Sequence, residues 1–133
     1  MTLYVRVRVA SETYAMPVAN VVEVAELGPV RAVPRARPEL LGIRNLRGQI
    51  LPVIDLGALL GVSPTRTPAH LLLAEAGGRQ AGFAIEEVSG IGELDDPSEE
   101  TESDLLLGAA LSNGALIGVI DMPAVFSKLD YSA

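Results

Sequence analysis

At 133 residues the chain suits one compact domain, long enough to bury about two-thirds of the surface its unfolded form exposes. It has no cysteine and a single histidine, His70, which excludes a disulfide framework and leaves no ligand set for zinc, so neither metal nor cofactor is expected. The net charge of −7 disfavours nucleic acid, whose phosphates need a basic face, and no apolar run approaches the ~18 residues of a membrane-spanning helix.

Residues 3–9 alternate Leu3, Val5, Val7 and Val9 with Tyr4, Arg6 and Arg8, the period-two pattern of a half-buried antiparallel strand. Arginines interleaved with valines are unlike a secretory leader, and a cytoplasmic location is the expectation. Ser11 and Glu12 supply a turn, residues 14–16 read as the return strand, and Pro17, having no amide hydrogen, ends its ladder. Residues 18–21 are read as a helical turn in preference to a strand, and 23–26 as extended. Gly28-Pro29 punctuates the chain. A short strand is predicted over 30–33, irregular chain through the prolines of 34–38, and one turn of helix over 39–41.

The next stretch, Gly42-Ile43-Arg44-Asn45-Leu46-Arg47-Gly48-Gln49-Ile50-Leu51-Pro52-Val53-Ile54-Asp55-Leu56, places a tight polar turn between two apolar strand-like runs and so mounts Asn45 and Arg47 rigidly. A short helix over 56–60 closed by Gly61 follows, then a loop over 63–68. Residues 70–75 and 79–86 form a hairpin through Gly77-Gly78, and 89–94 a further strand. Residues 95–104 have almost nothing to bury and read as a solvated loop. Asn113-Gly114 joins the strands 105–111 and 115–120, and Asp121 caps a last helix with Pro123 in its first turn, running to about Leu129. Eight or more short strands with helix only in scraps predict an all-β barrel or pair of barrels. Parallel βαβ units would need repeated crossover helices that the chain lacks. No long internal repeat is read.

Charge is unevenly spread. Arg31, Arg35, Arg37, Arg44 and Arg47 fall between positions 31 and 47, and Asp95, Asp96, Glu99, Glu100, Glu102 and Asp104 within 95–104, a dipolar arrangement that suits oriented docking on a protein. Ordinary solvated loops account for Arg35, Arg37 and the acidic segment, which lacks calcium-loop spacing. Glu86 and Glu87 are adjacent strand residues, point to opposite faces, and so make a poor acid–base pair. No nucleophile or phosphate-binding motif accompanies His70, and no catalytic residue is assigned. The runs Leu71–Leu73 and Leu105–Leu107 exceed what a one-sided sheet buries, which predicts core shared between two barrels, with a minority left as an interface patch.

The 42–56 stretch resembles the G-x-x-N-L-R-G-x-[IV]-x-P-[IV]-[IV]-D-L pattern of the CheW-like chemotaxis coupling (adaptor) family. Tyr14 to Val18 with Val21 to Val24, the 34–42 approach, and 78–88 are similar to other family segments in the same order. Glu86-Glu87 depart from the aspartate usual there. The resemblance implies one CheW-like domain over 1–133, built as two small SH3-like five-stranded barrels sharing a hydrophobic core, with short helices including a C-terminal one. It implies two partners, the regulatory domain of a CheA-type histidine kinase and the cytoplasmic hairpin tip of a chemoreceptor, and recruitment to membrane-associated receptor arrays without membrane insertion. It places Val21, Gly42, Arg47 and Gly82 in a receptor groove, with Glu23 and Arg47 as the carboxylate–guanidinium pair that orients it and Asn45, Leu46, Arg47 and Gly48 as the signature turn.

The expected function is therefore a non-enzymatic adaptor between receptor and kinase. The alternatives are a coupling protein of a pilus-motility or other non-flagellar chemosensory pathway, and a small-ligand-binding or enzymatic β-barrel.

Overall fold

Side-chain alternation along ten strands sorts the chain into two five-stranded sheets in the computed structural model, which describes residues 2–62, 68–97 and 103–129. In chain order the elements are β1 Leu3–Val9, β2 Glu12–Pro17, a 3₁₀ turn Val18–Asn20, β3 Val21–Glu26, β4 Leu40–Leu46, β5 Gln49–Asp55 and α1 Leu56–Leu59. Then follow β6 His70–Ala76, β7 Arg79–Ile85, β8 Glu87–Glu93, β9 Leu106–Ser112, β10 Ala115–Ile120 and α2 Met122–Lys128. The first sheet has the order β8-β1-β2-β10-β9 and the second β3-β6-β7-β5-β4. Neighbours are antiparallel except β2 with β10 and β5 with β7.

This order reveals an internal repeat. β1 to α1 and β6 to α2 run through the same elements, but the halves exchange strands: β3, β4 and β5 join the β6–β7 hairpin, while β8, β9 and β10 join β1–β2. The repeat is visible in residues too. Leu40-Leu41-Gly42, Gly48, Val53-Ile54-Asp55 and Ala58 recur, at one constant offset, as Leu106-Leu107-Gly108, Gly114, Val119-Ile120-Asp121 and Ala124. The sequence reading missed it because identities are few and scattered over turn, bulge, cap and core positions.

Apolar residues divide among three cores. Leu46, Leu51, Val53, Leu71, Leu73 and Ala84 fill the second barrel, and Tyr4, Ala15, Ala110, Ile117 and Val119 the first. Between them lies a larger shared core that includes Val7, Met16, Ile54, Leu72, Phe83, Ile85, Ile120 and Phe126. The run Leu71–Leu73 is thereby explained: Leu71 and Leu73 face the barrel interior, and Leu72 faces the shared core. Tyr4 is buried for the same reason, but on the same face Arg6 is half-buried and Arg8 exposed, so β1 is half-buried as its alternation suggests, except at Tyr4.

Three local expectations are corrected. Residues 30–33 form no strand, only one bridge in which Arg31 and Ile43 exchange backbone hydrogen bonds of 2.9 and 2.8 Å. Residues 39–41 are not helical: Leu40 pairs with Ile54 and Glu39 O accepts from Asp55 N at 2.7 Å, so sheet pairing overrides local preference. The expected turn at Ser11-Glu12 lies one residue earlier, with Ala10 and Ser11 at positive φ. Residues 63–67 of the 63–68 loop and 98–102 of the acidic segment lie outside the described residues.

Candidate functional site

A two-residue turn with both residues at positive φ, Arg47 at 52° and Gly48 at 87°, joins β4 to β5. Such primed turns match the right-handed twist of the strands. Asn45 fixes it from below, its Oδ1 accepting from Gly48 N at 2.8 Å. Leu46 is buried in the second barrel and anchors the strand end. Arg47 is therefore held out from a braced mount, and its Nη2 donates to Glu23 Oε1 on β3.

The bond matters because of topology. β3 and β4 are opposite edges of the second sheet, and no ladder pairs them among the described residues. Arg47–Glu23 spans that gap, assisted by Arg44 Nε, which donates to Leu27 O at 2.7 Å just beyond β3. Side chains thus close a barrel that backbone pairing leaves open. Arg44 and Arg47, counted in the basic cluster by sequence, are both engaged within the molecule.

Two of the four predicted groove residues, Gly42 and Gly82, share one transverse rung with Glu23, whereas Val21 pairs with Ala74 and Arg47 lies in the turn. Glu23 pairs with Leu73, Leu73 with Gly82, Gly82 with Val53, and Val53 with Gly42. Gly42 and Gly82 are buried, however, and offer shape in place of surface. A Cβ at Gly82 would come within 2.4 Å of Leu71 Cδ1, and one at Gly42, whose φ is 153°, within 2.1 Å of Arg31 O. Val21 is half-buried against the shared core. Arg47 and Glu23 present the polar surface of the set.

Sequence reasoning missed a chain of polar contacts on the same sheet. Gln49 Nε2 donates to Gln80 Oε1 at 2.7 Å, Gln80 Nε2 to Glu75 Oε2 at 3.0 Å, and Asn20 Nδ2 to Glu75 O at 3.0 Å. It also missed the cleft beside the turn lined by Pro29, Val30, Arg31, Ile43, Asn45 and Ile50. Only the pairing register brings these residues together, so no local signal existed beyond the position of Gln49 next to the turn.

The acid–base candidates have structural partners. Glu86 Oε1 accepts from Ser11 N at 3.1 Å, Glu87 pairs with Arg8 at 3.1 Å, and His70 Nδ1 lies 3.1 Å from Glu86 O. Among the described residues no three His, Asp or Glu side chains gather as a metal would require. Among the described residues the strong perturbation is at Tyr14, whose phenol is pushed up to about 12 by burial and by its 3.0 Å hydrogen bond to Glu12 Oε2.

Comparison with known proteins agrees with the geometry. The chain is 29% identical over 136 residues to a probable chemotaxis protein CheW of Rhizobium etli, covering 95% of this chain and 88% of that protein. It is 30% identical over 86 residues, 63% of this chain and 48% of the other, to the protein PilI of Pseudomonas aeruginosa. The crystal structure of the scaffolding protein TtCheW from Thermoanaerobacter tengcongensis superposes with a TM-score of 0.82 at 26% identity, covering 94% of this chain and 87% of that one. The CheW-like domain model matches residues 3–130, and with the paired barrels and the braced Arg47 turn it shows that this chain belongs to the CheW-like domain family.

Proposed function

We propose that this protein is a chemosensory adaptor without catalytic activity of its own, and that residues 1–133 act as one CheW-like unit. It binds the regulatory domain of a CheA-type histidine kinase and the cytoplasmic hairpin tip of a chemoreceptor, and so is held at membrane-associated receptor arrays from the cytoplasm. Among the described residues no helix is long and apolar enough to cross a membrane.

The observation that carries this reading is the Arg47–Glu23 bridge, which ties the signature turn to β3 over the rung containing Gly82 and Gly42. An exposed pair of this kind contributes only ~0–1 kcal/mol to stability, so its value is geometric. It fixes a planar guanidinium at the rim, where a receptor helix with carboxylates or carbonyls can be recognised in one orientation. Signalling then requires different affinity for the two receptor states, since equal binding shifts nothing.

Calorimetric titration with a receptor-tip hairpin and with the kinase regulatory domain tests this. Arg47→Ala is expected to weaken receptor binding about tenfold or more, as loss of a charge-assisted contact does, and to leave kinase binding unchanged. Parent protein that binds neither partner would end the adaptor reading. The likeness to PilI favours, as the second reading, the same role in a pilus-associated pathway.

A further inference from the structure

The repeat makes the two barrels comparable strand by strand, and they differ at one edge. In the second barrel the outer edge of β4 is covered: Ile43 exchanges both backbone hydrogen bonds with Arg31. The equivalent position in the first barrel is Ala109, at the centre of β9. β9 is the last strand of its sheet, and among the described residues nothing pairs with its outer side. Ser112 and Ala115 flank the two-residue turn and so exchange ladder bonds, which turns the backbone groups of Ala110 towards β10 and those of Ala109 and Leu111 outwards.

This edge lacks the protection of charge and proline, and its irregularity is a bulge at Leu106 to Gly108, opposite Val119 and Ile120. Of the four edge strands, β3 carries Glu23 and Glu26, β4 carries Arg44, and β8 carries Glu87 and Glu93, but β9 carries no charge. The whole stretch 105–120 is uncharged in a chain of net charge −7. Its outward side chains are apolar: Leu107 is 52% exposed, Leu111 60% and, on β10, Leu116 64%. Natural proteins ordinarily blunt such edges with charge, proline or a covering segment, because an unpaired apolar edge invites another strand.

We propose that β9 is a self-association edge, at which two copies of this chain pair antiparallel about a two-fold axis through Ala109. The strand is self-complementary in that register. Ala109 meets Ala109, small enough for close approach, and Leu111 of each copy faces Leu107 of the other. Two acidic molecules repel elsewhere, and this neutral strip lets them meet without opposing like charges. The pairing joins two sheets into one of ten strands. It leaves Arg47 and Glu23, which lie on the other sheet, free in both copies, so that each dimer offers two such pairs.

Sedimentation of the full chain over a concentration series, with amide hydrogen exchange followed in parallel, tests this. A monomer–dimer equilibrium is expected, with exchange at Ala109 and Leu111 slowing as concentration rises and that at Ala110 unchanged. Leu111→Lys should raise the dissociation constant about tenfold or more, because two cross-strand contacts per dimer are lost, with an unchanged circular-dichroism spectrum. Leu116→Lys, on the inner strand, should leave it unaltered. A monomer at every concentration overturns the proposal. So does concentration-independent protection at Ala109, which would mean that the chain covers its own edge, or a dimer broken by Leu116→Lys and not by Leu111→Lys, which would mean face packing.

Discussion

Arg47 occupies a left-handed conformation that costs a bulky side chain energy, whereas the equivalent turn of the other half uses Asn113 at φ 51°, a residue that adopts it readily. Strain kept at one turn and relieved at its counterpart is expected where the strained side chain has a function. Arg47→Asn should therefore hold or raise stability, by up to about 1 kcal/mol, while weakening receptor binding as Arg47→Ala does. Chemical denaturation beside calorimetry checks both, and a loss above that size would show Arg47 to be mainly structural. The two buried glycines should behave differently. At Gly82 a methyl group displaces the end of the Leu71 side chain, an overpacking cost of about 1–3 kcal/mol. Gly42→Ala collides with backbone at a φ that disfavours side chains and should cost about 2–5 kcal/mol. Urea midpoints of the two variants rank them. Tyr14 supplies a pH signature. Its folded pKa of about 12 exceeds the ordinary 10.0, so its stabilising contribution is complete below about pH 10 and is lost as pH rises through 12. Tyr14→Phe should flatten that alkaline loss, as thermal melts across pH 8–12, the range bracketing tyrosine ionisation, would record.

At the scale of elements, both helices depend on one device in the two halves. Asp55 Oδ1 accepts from Ala58 N at 3.3 Å, and Asp121 Oδ1 from Ala124 N at 3.1 Å. Neither helix has the length to be stable alone, so cap and docking decide whether it forms. α2 is docked by Arg79, whose Nη1 donates to Phe126 O at 2.9 Å and whose guanidinium lies 5.9 Å from the Phe126 ring centre. Phe126 meets Phe83 edge-on at a centroid distance of 6.0 Å. Removing a cap of this type costs about 0.5–2 kcal/mol. Asp121→Ala should fall in that range and Asp55→Ala at its top, because Asp55 is buried and its lost acceptor cannot be replaced by water. Melting temperatures of the two variants test the ranking.

For the whole molecule, the exchange of strands between halves dictates how stability is shared. Each barrel needs strands from both halves, and the shared core takes residues from both, so neither half holds a complete sheet. Cleavage in the connection between α1 and β6 should yield two fragments that are unfolded apart and regain β structure when mixed, as circular dichroism would show. Fragments that fold independently would contradict the swapped arrangement. Phe83→Ala, at the centre of the shared core, should cost about 3–5 kcal/mol and speed amide exchange in β5 and β10 together.

The sequence by itself determined what local chemistry can encode. Period-two alternation placed the strands, Asn113-Gly114 and Gly77-Gly78 placed the hairpins, Asp121 placed the last helix, and the 42–56 pattern carried the family. These signals are legible because each acts within a few residues of itself. Residues 39–41 read as helix because Ile54, the partner of Leu40, lies beyond any local window, and residues 30–33 read as strand because nothing local says that the pairing stops at a single bridge from Arg31. The resemblance named Glu23 and Arg47 as a pair, but only the closed barrel gives that pair its place, bridging two edge strands that no ladder joins. The same holds for the burial of Gly42 and Gly82, for the Gln49–Gln80–Glu75 contacts and for the bare edge of β9. All of these are consequences of long-range register, which depends on the sum of many strand pairings and not on the identity of any residue alone.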